Sequence, residues 1–264
     1  MTTNPPDRES KMSAPTVPPL PAHTSKKSAP LVAADHIRDG KVHLLLAASG
    51  SVATIKLPNI VHALSNHPNL SIRLILTHSA SAFLAGQSSE QPALHDLENV
   101  LNVDGIYHDE DEWSKPWTRG GAILHIELRR WADLLVIAPL SANSLAKTAS
   151  GLCDNLLLST IRAWDTTGDM DVDPERLAQR GGRKKIIVVA PAMNTAMWKH
   201  PITKKQVGLL EGEWNVRNGG WFEVLRPVEK ALACGDTGDG AMREWEEVVG
   251  VIESKLGLGE SSKA

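Results

Sequence analysis

The chain has 264 residues, 42% of them hydrophobic, which is enough for a sizeable core in one large or two small domains. Its 28 basic and 31 acidic residues leave a net charge of −3, which gives neither a basic field for nucleic acid nor a polycationic face for a membrane. Cys153 and Cys234 are its two cysteines, so a disulfide framework and a multi-cysteine metal cluster are excluded. The chain has no apolar run behind a basic start and no window apolar enough for a membrane span. These features predict a globular, cytoplasmic enzyme without a metal.

Composition divides the chain into tails and one domain. Residues 1–40 are rich in Pro, Ser, Thr and Lys and show no apolar period, which predicts a disordered N-terminal tail. The apolar patterns that follow predict a single domain over 41–257, whose last helix runs from about Arg243 to Leu256. Residues 258–264 are predicted to form a short polar tail.

Four apolar runs have the length of buried strands, and each is followed by a turn and a helix-compatible segment. The first of these helices is predicted over 52–66. Alternation of this kind implies a parallel sheet with helices on both faces. We therefore predict a three-layer α/β fold with a Rossmann-like (flavodoxin-like) parallel sheet. The predicted strands lie at 42–48, 71–77, 133–138 and 185–190.

Two polar segments interrupt this pattern. Residues 87–121 contain the acidic run at 109–112 and are predicted to form a long solvated loop with short helical pieces. Residues 166–184 carry several glycines and a proline, and they are interpreted as a polar insertion without a role in the chemistry.

Small polar residues follow each predicted strand. Ligands of open parallel sheets bind beyond the carboxyl ends of the strands, where helix N-termini present free N–H groups that can hold a phosphate. The alternative is that Ser51, Ser79 and Ser141 are simple helix N-caps. The glycine-rich signatures of dinucleotide and ATP sites are missing from the sequence. A mononucleotide with one phosphate, such as FMN, remains compatible with these turns.

Five ordered blocks between about Lys41 and Leu256 resemble the homo-oligomeric flavin-containing cysteine decarboxylases, most closely the members that act on phosphopantothenoyl-cysteine. The resemblance implies FMN-dependent decarboxylation of 4'-phosphopantothenoyl-cysteine to 4'-phosphopantetheine in coenzyme A synthesis. It also implies a homotrimer in which His125 reaches a flavin held mainly by a neighbouring subunit. The blocks are Gly-Ser-Val-Ala at 50–53, Leu-His-Ile-Glu-Leu-Arg-Arg-Trp-Ala-Asp at 124–133, Ala-Pro-Leu-Ser-Ala-Asn at 138–143, Pro-Ala-Met-Asn-Thr-Ala-Met-Trp at 191–198 and Ala-Cys-Gly-Asp at 233–236, continuing to Ala-Met at 241–242.

Position by position, the resemblance makes His125 the catalytic base and Cys234 the proton donor. The implied substrate contacts are Met193, Asn194, Ala231 and Ala233. The implied FMN contacts are Gly50, Ser51, Val52, Thr77, His78, Ser79, Phe83, Ser141, Ala142, Asn143, Ser144 and Ala192.

These residue types suit the reaction. A cysteine carboxylate leaves easily only after the CH2–SH unit is oxidised to a thioaldehyde, which needs an electron sink such as flavin. The imidazole of His125 can take the thiol proton, and the amide of Asn194 can orient the carboxylate without adding charge. Re-reduction of the ene-thiol then needs a proton, for which Cys234 in its glycine-rich setting is the candidate. The alternatives are a satisfied helix histidine at 125 and an N-cap at Asn194, and for Cys153 a small buried hydrophobe is expected.

Two departures from the family pattern stand out. Ala231 occupies a position that is usually basic, with Lys230 one residue earlier, and the insertion at 166–184 is longer than the usual connection. Two rival functions are also considered. One is a regulatory subunit of a protein phosphatase with the same fold; the other is a flavoprotein acting on peptides with a C-terminal cysteine, without the final reduction.

Overall fold

The computed structural model describes residues 31–170, 173–231 and 237–259. The predicted tail over 1–30 and the predicted site residues Ala233 and Cys234 lie outside this part of the chain. Residues 31–40, which the composition assigns to the tail, include a 3-10 helix at Ala33–His36. Leu31 and Ala33 are buried against the domain. The packed part of the domain therefore begins before Lys41.

Six of the strands form one parallel sheet, in the order β5-β2-β1-β6-β7-β8. When these six strands alone are numbered 1 to 6 along the chain, their order in the sheet is 3-2-1-4-5-6, which is the Rossmann order. In the flavodoxin order, by contrast, the first strand lies between the second and the third. The predicted three-layer, Rossmann-like parallel sheet is confirmed. In chain order the strands are β1 Val42–Ala48, β2 Leu70–Leu76, β3 Ala85–Ser88, β4 Gln91–Ala93, β5 Val103–Tyr107, β6 Leu134–Leu140, β7 Ile186–Pro191, β8 Phe222–Val224, β9 Val228–Ala231 and β10 Thr237–Ala241.

Helices cover both faces of the sheet, and no helix in the described ranges is long and apolar enough to cross a membrane. The predicted helix over 52–66 is a 3-10 turn, Val52–Lys56, followed by an α-helix with a proline in its first turn. The α-helices are α1 Leu57–Leu64, α2 His78–Ser81, α3 Leu94–Glu98, α4 Asp109–Glu112, α5 Leu124–Trp131, α6 Ala142–Ala149, α7 Leu156–Arg162, α8 Pro174–Gln179, α9 Thr195–Lys199, α10 Pro201–Glu211 and α11 Trp245–Leu256, and a further 3-10 turn is Val216–Asn218.

The core lies in two layers, one on each face of the sheet. Leu44 and Leu46 of β1 pack in the layer that contains α1 and α11. The alternate residues Leu45 and Ala47 pack in the layer that contains α5, α7 and α10. All four are fully buried, which explains why β1 reads as a continuous apolar run. Burial of each leucine contributes about 1.5–3 kcal/mol relative to exposure.

The segment predicted as a solvated loop contains β5, which forms one edge of the sheet. Val103, Ile106 and Tyr107 are buried, but Asp104 and Gly105 interrupt the apolar run. The loop prediction is therefore wrong for this strand. The other edge strand, β8, is short and was also missed by the sequence patterns.

The insertion at 166–184 folds onto the amino ends of the strands. It contains α8, from which Arg176 donates to the carboxylate of Asp133 at 2.7 Å and to the carbonyl of Lys41 at 2.8 Å. Arg180 donates to the other oxygen of the same carboxylate at 3.1 Å. Asp133 also accepts from the backbone N–H of His43 at 2.9 Å. The insertion thus joins the starts of β1 and β6 through one buried carboxylate.

The His43 side chain belongs to the same buried group. Its ring stacks on Trp131 with centroids 4.5 Å apart, and its Nε2 lies 2.9 Å from the Asp39 carboxylate. The Arg176 guanidinium contacts its Nδ1. Burial lowers the pKa of His43, and the neighbouring positive charge of Arg176 lowers it further. Burial alone would raise the pKa of Asp39, but hydrogen bonds from Lys41 and His43 bring it below its ordinary value.

Candidate functional site

A cavity of about 440 Å³ opens at the carboxyl ends of β1, β6 and β7. It lies where ligands bind in open parallel sheets, and its volume falls in the range usual for small-molecule sites, about 300–1,000 Å³. The turns after these three strands supply most of the wall, together with one aromatic ring from the segment after α2. The predicted site residues that line the cavity are Gly50, Ser51, Val52, Phe83, Ser141, Ala142, Asn143, Ala192, Met193 and Asn194.

The turn after β1 is shaped by close contacts. A Cβ atom at Gly50 would lie 2.5 Å from the Cβ of Ser79, so this position has no room for a side chain. The Ser51 hydroxyl accepts a hydrogen bond from the N–H of Ala53 at 3.4 Å and caps the 3-10 turn, as the N-cap alternative predicted. Ser49, which no sequence pattern singles out, donates to the carbonyl of Pro139 at 3.1 Å. The turns after β1 and β6 are thereby held together.

The turn after β2 lies beside the cavity and does not line it. Thr77 is the N-cap of α2, since its hydroxyl accepts from the N–H of Ala80 at 3.3 Å. The alternative that Ser79 is the N-cap is therefore wrong, because Ser79 lies inside the helix. His78 and Ser79 are exposed, and the close approach of Ser79 to Gly50 places this turn next to the cavity wall.

The turns after β6 and β7 each combine a helix cap with a cavity wall. The Ser141 hydroxyl accepts from the N–H of Ser144 at 3.2 Å and caps α6. Ser144 itself is buried beneath the turn and does not line the cavity. Asn194 Oδ1 accepts from the N–H of Met197 at 2.8 Å and caps α9. The predicted N-cap role of Asn194 is confirmed, and the residue also lines the cavity.

Strand β10, which pairs with β9 in an antiparallel hairpin, contributes Gly240 and Ala241 to one side of the cavity. Gly240 accepts a hydrogen bond from the N–H of Met193 at 3.0 Å. A Cβ at Gly240 would lie 2.0 Å from the carbonyl oxygen of Met193, so a glycine is required for this contact. Ala231 ends β9, and residues 232–236 connect it to β10 outside the described ranges. The strands that flank Cys234 in the sequence are thus attached to the turn after β7.

His125, the predicted base, is not part of the cavity lining formed by the described residues. It is the second residue of α5. Its Nδ1 is 3.0 Å from Oε1 of Glu112, and its backbone N–H donates to Oε2 of the same carboxylate at 3.2 Å. The Glu112 side chain is 4% exposed and that of His125 is 22% exposed. The expectation that the acidic run is solvated is wrong for Glu112.

Several cavity residues were missed by the sequence analysis. Met197 lies three residues after Asn194, so the two share one face of a helix. This spacing is the sequence signal that points to Met197 as a cavity residue. Lys56 and Arg243 bring positive charge to the lining. Cys153, expected to be a small buried hydrophobe, is exposed, so that expectation is wrong. The remaining missed lining residues are Ala53, Ile55, Gly240, Ala241, Met242, Glu244 and Trp245.

The parallel sheet and the cavity at its carboxyl edge are typical of α/β proteins that bind nucleotide-like ligands. A family model described as Flavoprotein matches residues 33–257, and the chain belongs to this family. The phosphopantothenoylcysteine decarboxylase of Mus musculus is 39% identical over 228 residues, which cover 86% of this chain and 94% of that protein. A probable thymidylate synthase of Schizosaccharomyces pombe is 42% identical over 86% of this chain, but the match spans 31% of that longer protein.

Solved structures of relatives have the same fold. A phosphopantothenoylcysteine decarboxylase mutant complexed with pantothenoylaminoethenethiol has a TM-score of 0.61 and 40% identity, covering 81% of this chain and 97% of that chain. The FMN-binding protein AtHal3 has a TM-score of 0.60 and 42% identity, covering 81% of this chain and 96% of that chain. These similarities extend over nearly the whole length of both relatives.

Proposed function

We propose that this chain is an FMN-dependent decarboxylase that converts 4'-phosphopantothenoyl-cysteine to 4'-phosphopantetheine in coenzyme A synthesis. The observation that carries the proposal is the cavity built from three of the predicted turns, with Asn194 at its wall. Relatives named for this activity match this chain over most of their own length. The proposal therefore combines a site of suitable shape with a family in which that reaction is known.

The residues of the cavity suit FMN. The bare backbone at Gly50 and the helix caps at Ser51 and Ser141 leave N–H groups for a phosphate, and Phe83 offers an apolar surface for a ring. When bound, FMN would supply the electron sink that a cysteine carboxylate needs before it can leave. An FMN-binding relative of similar fold supports this assignment.

Three side chains are assigned to proton and substrate handling. His125 takes the proton of the substrate thiol, and Asn194 orients the carboxylate through its amide while its Oδ1 caps α9. Cys234 delivers a proton to carbon at the end of the reaction. Lys56 lines the cavity and supplies a positive charge there. This charge suits the phosphate of the substrate, because Ala231 occupies the family position that is usually basic.

The active site is proposed to form between subunits of a homotrimer. His125 does not line the cavity of its own chain, which supports an arrangement in which another copy brings it there. The Trp113, Trp117 and Leu152 side chains, close in sequence to Glu112 or to the start of α7, are more than half exposed. Exposed apolar side chains of this kind are commonly buried in interfaces. A size measurement showing a catalytically active monomer would exclude the trimer.

The absorption spectrum of the purified protein tests the cofactor assignment. We expect flavin bands, and we expect a protein stripped of cofactor to regain them with FMN. A colourless protein that cannot be reconstituted would contradict the proposed function. The phosphatase-regulatory alternative stays a prediction, and binding of a purified phosphatase catalytic subunit tests it. Product analysis separates the peptide alternative, since its product would keep the unsaturated ene-thiol.

A further inference from the structure

We propose that Glu112 is a positioning residue for His125, holding its ring in the tautomer with the proton on Nδ1 and the lone pair on Nε2. The inference rests on the proposed function only in assigning His125 as the base. A base that removes a thiol proton needs a free lone pair directed at the substrate. The Glu112 carboxylate meets this need by fixing which ring nitrogen carries the proton.

The contact determines the tautomer because an ionised carboxylate can only accept hydrogen bonds. Oε1 of Glu112 lies 3.0 Å from Nδ1 of His125, so Nδ1 must carry the proton of a neutral ring. Nε2 is then left with its lone pair. Among the described residues Nε2 has no hydrogen-bond partner, so it is available to a ligand.

A second hydrogen bond holds the Glu112 carboxylate in place beside His125. Oε2 of Glu112 accepts from the backbone N–H of His125 at 3.2 Å, so one carboxylate holds both the ring and the main chain of the same residue. The backbone bond fixes the carboxylate relative to the start of α5, and the ring bond then fixes the ring. Because the carboxylate is 4% exposed, water competes little for either hydrogen bond.

The turn that carries Glu112 is itself anchored. Asp109, at the start of α4, accepts from the N–H of Leu156 at 3.1 Å and so joins this turn to α7. Asp111 accepts from the N–H of His108 at 2.7 Å and closes the first turn of α4. Glu110 in the same run is exposed. Each carboxylate of the run except Glu110 has a structural partner, and the partner of Glu112 is His125.

The test compares Glu112→Gln with Glu110→Gln, which removes the same charge from the neighbouring exposed position. An amide can accept from Nδ1–H or donate to an unprotonated Nδ1, so Glu112→Gln admits both tautomers. In the FMN-loaded enzyme we expect kcat to fall about 10- to 1,000-fold with KM changed less than about twofold, a loss of at most the roughly 100- to 10,000-fold that a general base contributes. Glu110→Gln should keep kcat within about twofold of the unsubstituted chain.

A spectroscopic readout separates positioning from folding and from activity. In protein labelled with 15N-histidine, the His125 signals are assigned by their loss in His125→Asn. We expect a protonated Nδ1 and an unprotonated Nε2 in the unsubstituted chain and in Glu110→Gln, and a mixture or reversal in Glu112→Gln. A protonated Nε2 in the unsubstituted chain, or an unchanged tautomer in Glu112→Gln, would overturn the proposal.

Two controls keep the outcomes distinct. If Glu112→Gln unfolds, Glu112→Ala with added formate replaces it, and recovery of activity with formate supports the positioning role while no recovery in a folded protein opposes it. The proposed function fails separately, if His125→Asn keeps its turnover, because the tautomer measurement needs no turnover. A changed tautomer with unchanged kcat would also overturn the positioning role.

Discussion

The two ends of the sheet are built in opposite ways. At the carboxyl ends, small residues such as Gly50, Ser141 and Asn194 leave an open cavity whose wall consists of turns and helix starts. At the amino ends, Arg176 and Asp133 form a buried ion pair that joins the insertion to β1 and β6. The proposed function therefore uses the carboxyl end of the sheet, whereas the buried ion pair at the amino end contributes stability.

The physical cause of this division lies in the direction of the parallel strands. Each crossover helix begins after the carboxyl end of a strand, so its free N–H groups collect at one edge of the sheet. The opposite edge collects helix carbonyls, and Lys185 donates to the carbonyls of Arg129 and Arg130 at 3.0 and 2.7 Å there. Substitutions at the two ends should therefore have separable effects on activity and stability.

The largest expected effect is on activity at the carboxyl end. We expect His125→Asn to abolish decarboxylation while FMN stays bound and thermal unfolding changes little, because the base acts before carbon dioxide leaves. Carbon dioxide release, the flavin absorption and the unfolding temperature are measured on the same preparation. A turnover close to normal would remove His125 from the mechanism.

Cys234→Ser should change the product and leave the release of carbon dioxide intact. The hydroxyl can occupy the same place, but its higher pKa makes it a poorer acid toward carbon. Mass analysis should show a product lighter than phosphopantetheine by two hydrogens, with the flavin left reduced until an added oxidant such as oxygen reoxidises it. Saturated product at the unsubstituted rate would mean that another group supplies the proton.

Arg176→Ala should affect stability and spare activity. The change leaves the buried Asp133 carboxylate with Arg180 and a backbone N–H, so we expect a loss of about 3 kcal/mol, the low end for breaking a buried pair. Denaturant unfolding measures the loss, and kcat of the folded enzyme should be unchanged. Arg38→Ala is the matched control, because Arg38 forms an exposed pair with Glu175 of the same helix and should cost less than about 1 kcal/mol. Equal losses in the two variants would refute the structural role of the buried pair.

The smallest expected effect is the pH dependence of stability at the amino end. The pKa of His43 is lowered by burial and by Arg176, with Asp39, Asp133 and His36 also facing the ring. The unfolded chain therefore binds the proton more strongly, and stability falls as the pH drops below the ordinary histidine value of 6.5. His43→Gln should show a smaller decrease in unfolding free energy between about pH 7 and pH 5. An identical decrease would assign the pH dependence to other groups.

Much of the fold and the cavity could be predicted because both depend on local sequence. The buried strands are continuous apolar runs, and the turns that follow them contain the small residues of the cavity wall. The edge strand β5 escaped prediction because Asp104 and Gly105 break its pattern. Glu112 escaped because its burial depends on a contact across 13 residues of the chain, which no spacing rule describes.

The contacts of the insertion at 166–184 also could not be predicted from the local sequence. Arg176 is separated from His43 by 133 residues, and nothing in the local composition of 166–184 distinguishes a buried arginine from an exposed one. The contact arises only when the sheet brings β1 and β6 side by side. Long-range partners of charged residues are therefore the part of this molecule that required the structure.

The most direct test of the central claim is a product analysis of the purified, FMN-loaded protein with 4'-phosphopantothenoyl-cysteine. We predict that mass spectrometry will show 4'-phosphopantetheine and that carbon dioxide will form in equal amount, with both lost in His125→Asn. Unchanged substrate in the presence of flavin-loaded, folded protein would contradict the assignment of this site as a decarboxylase.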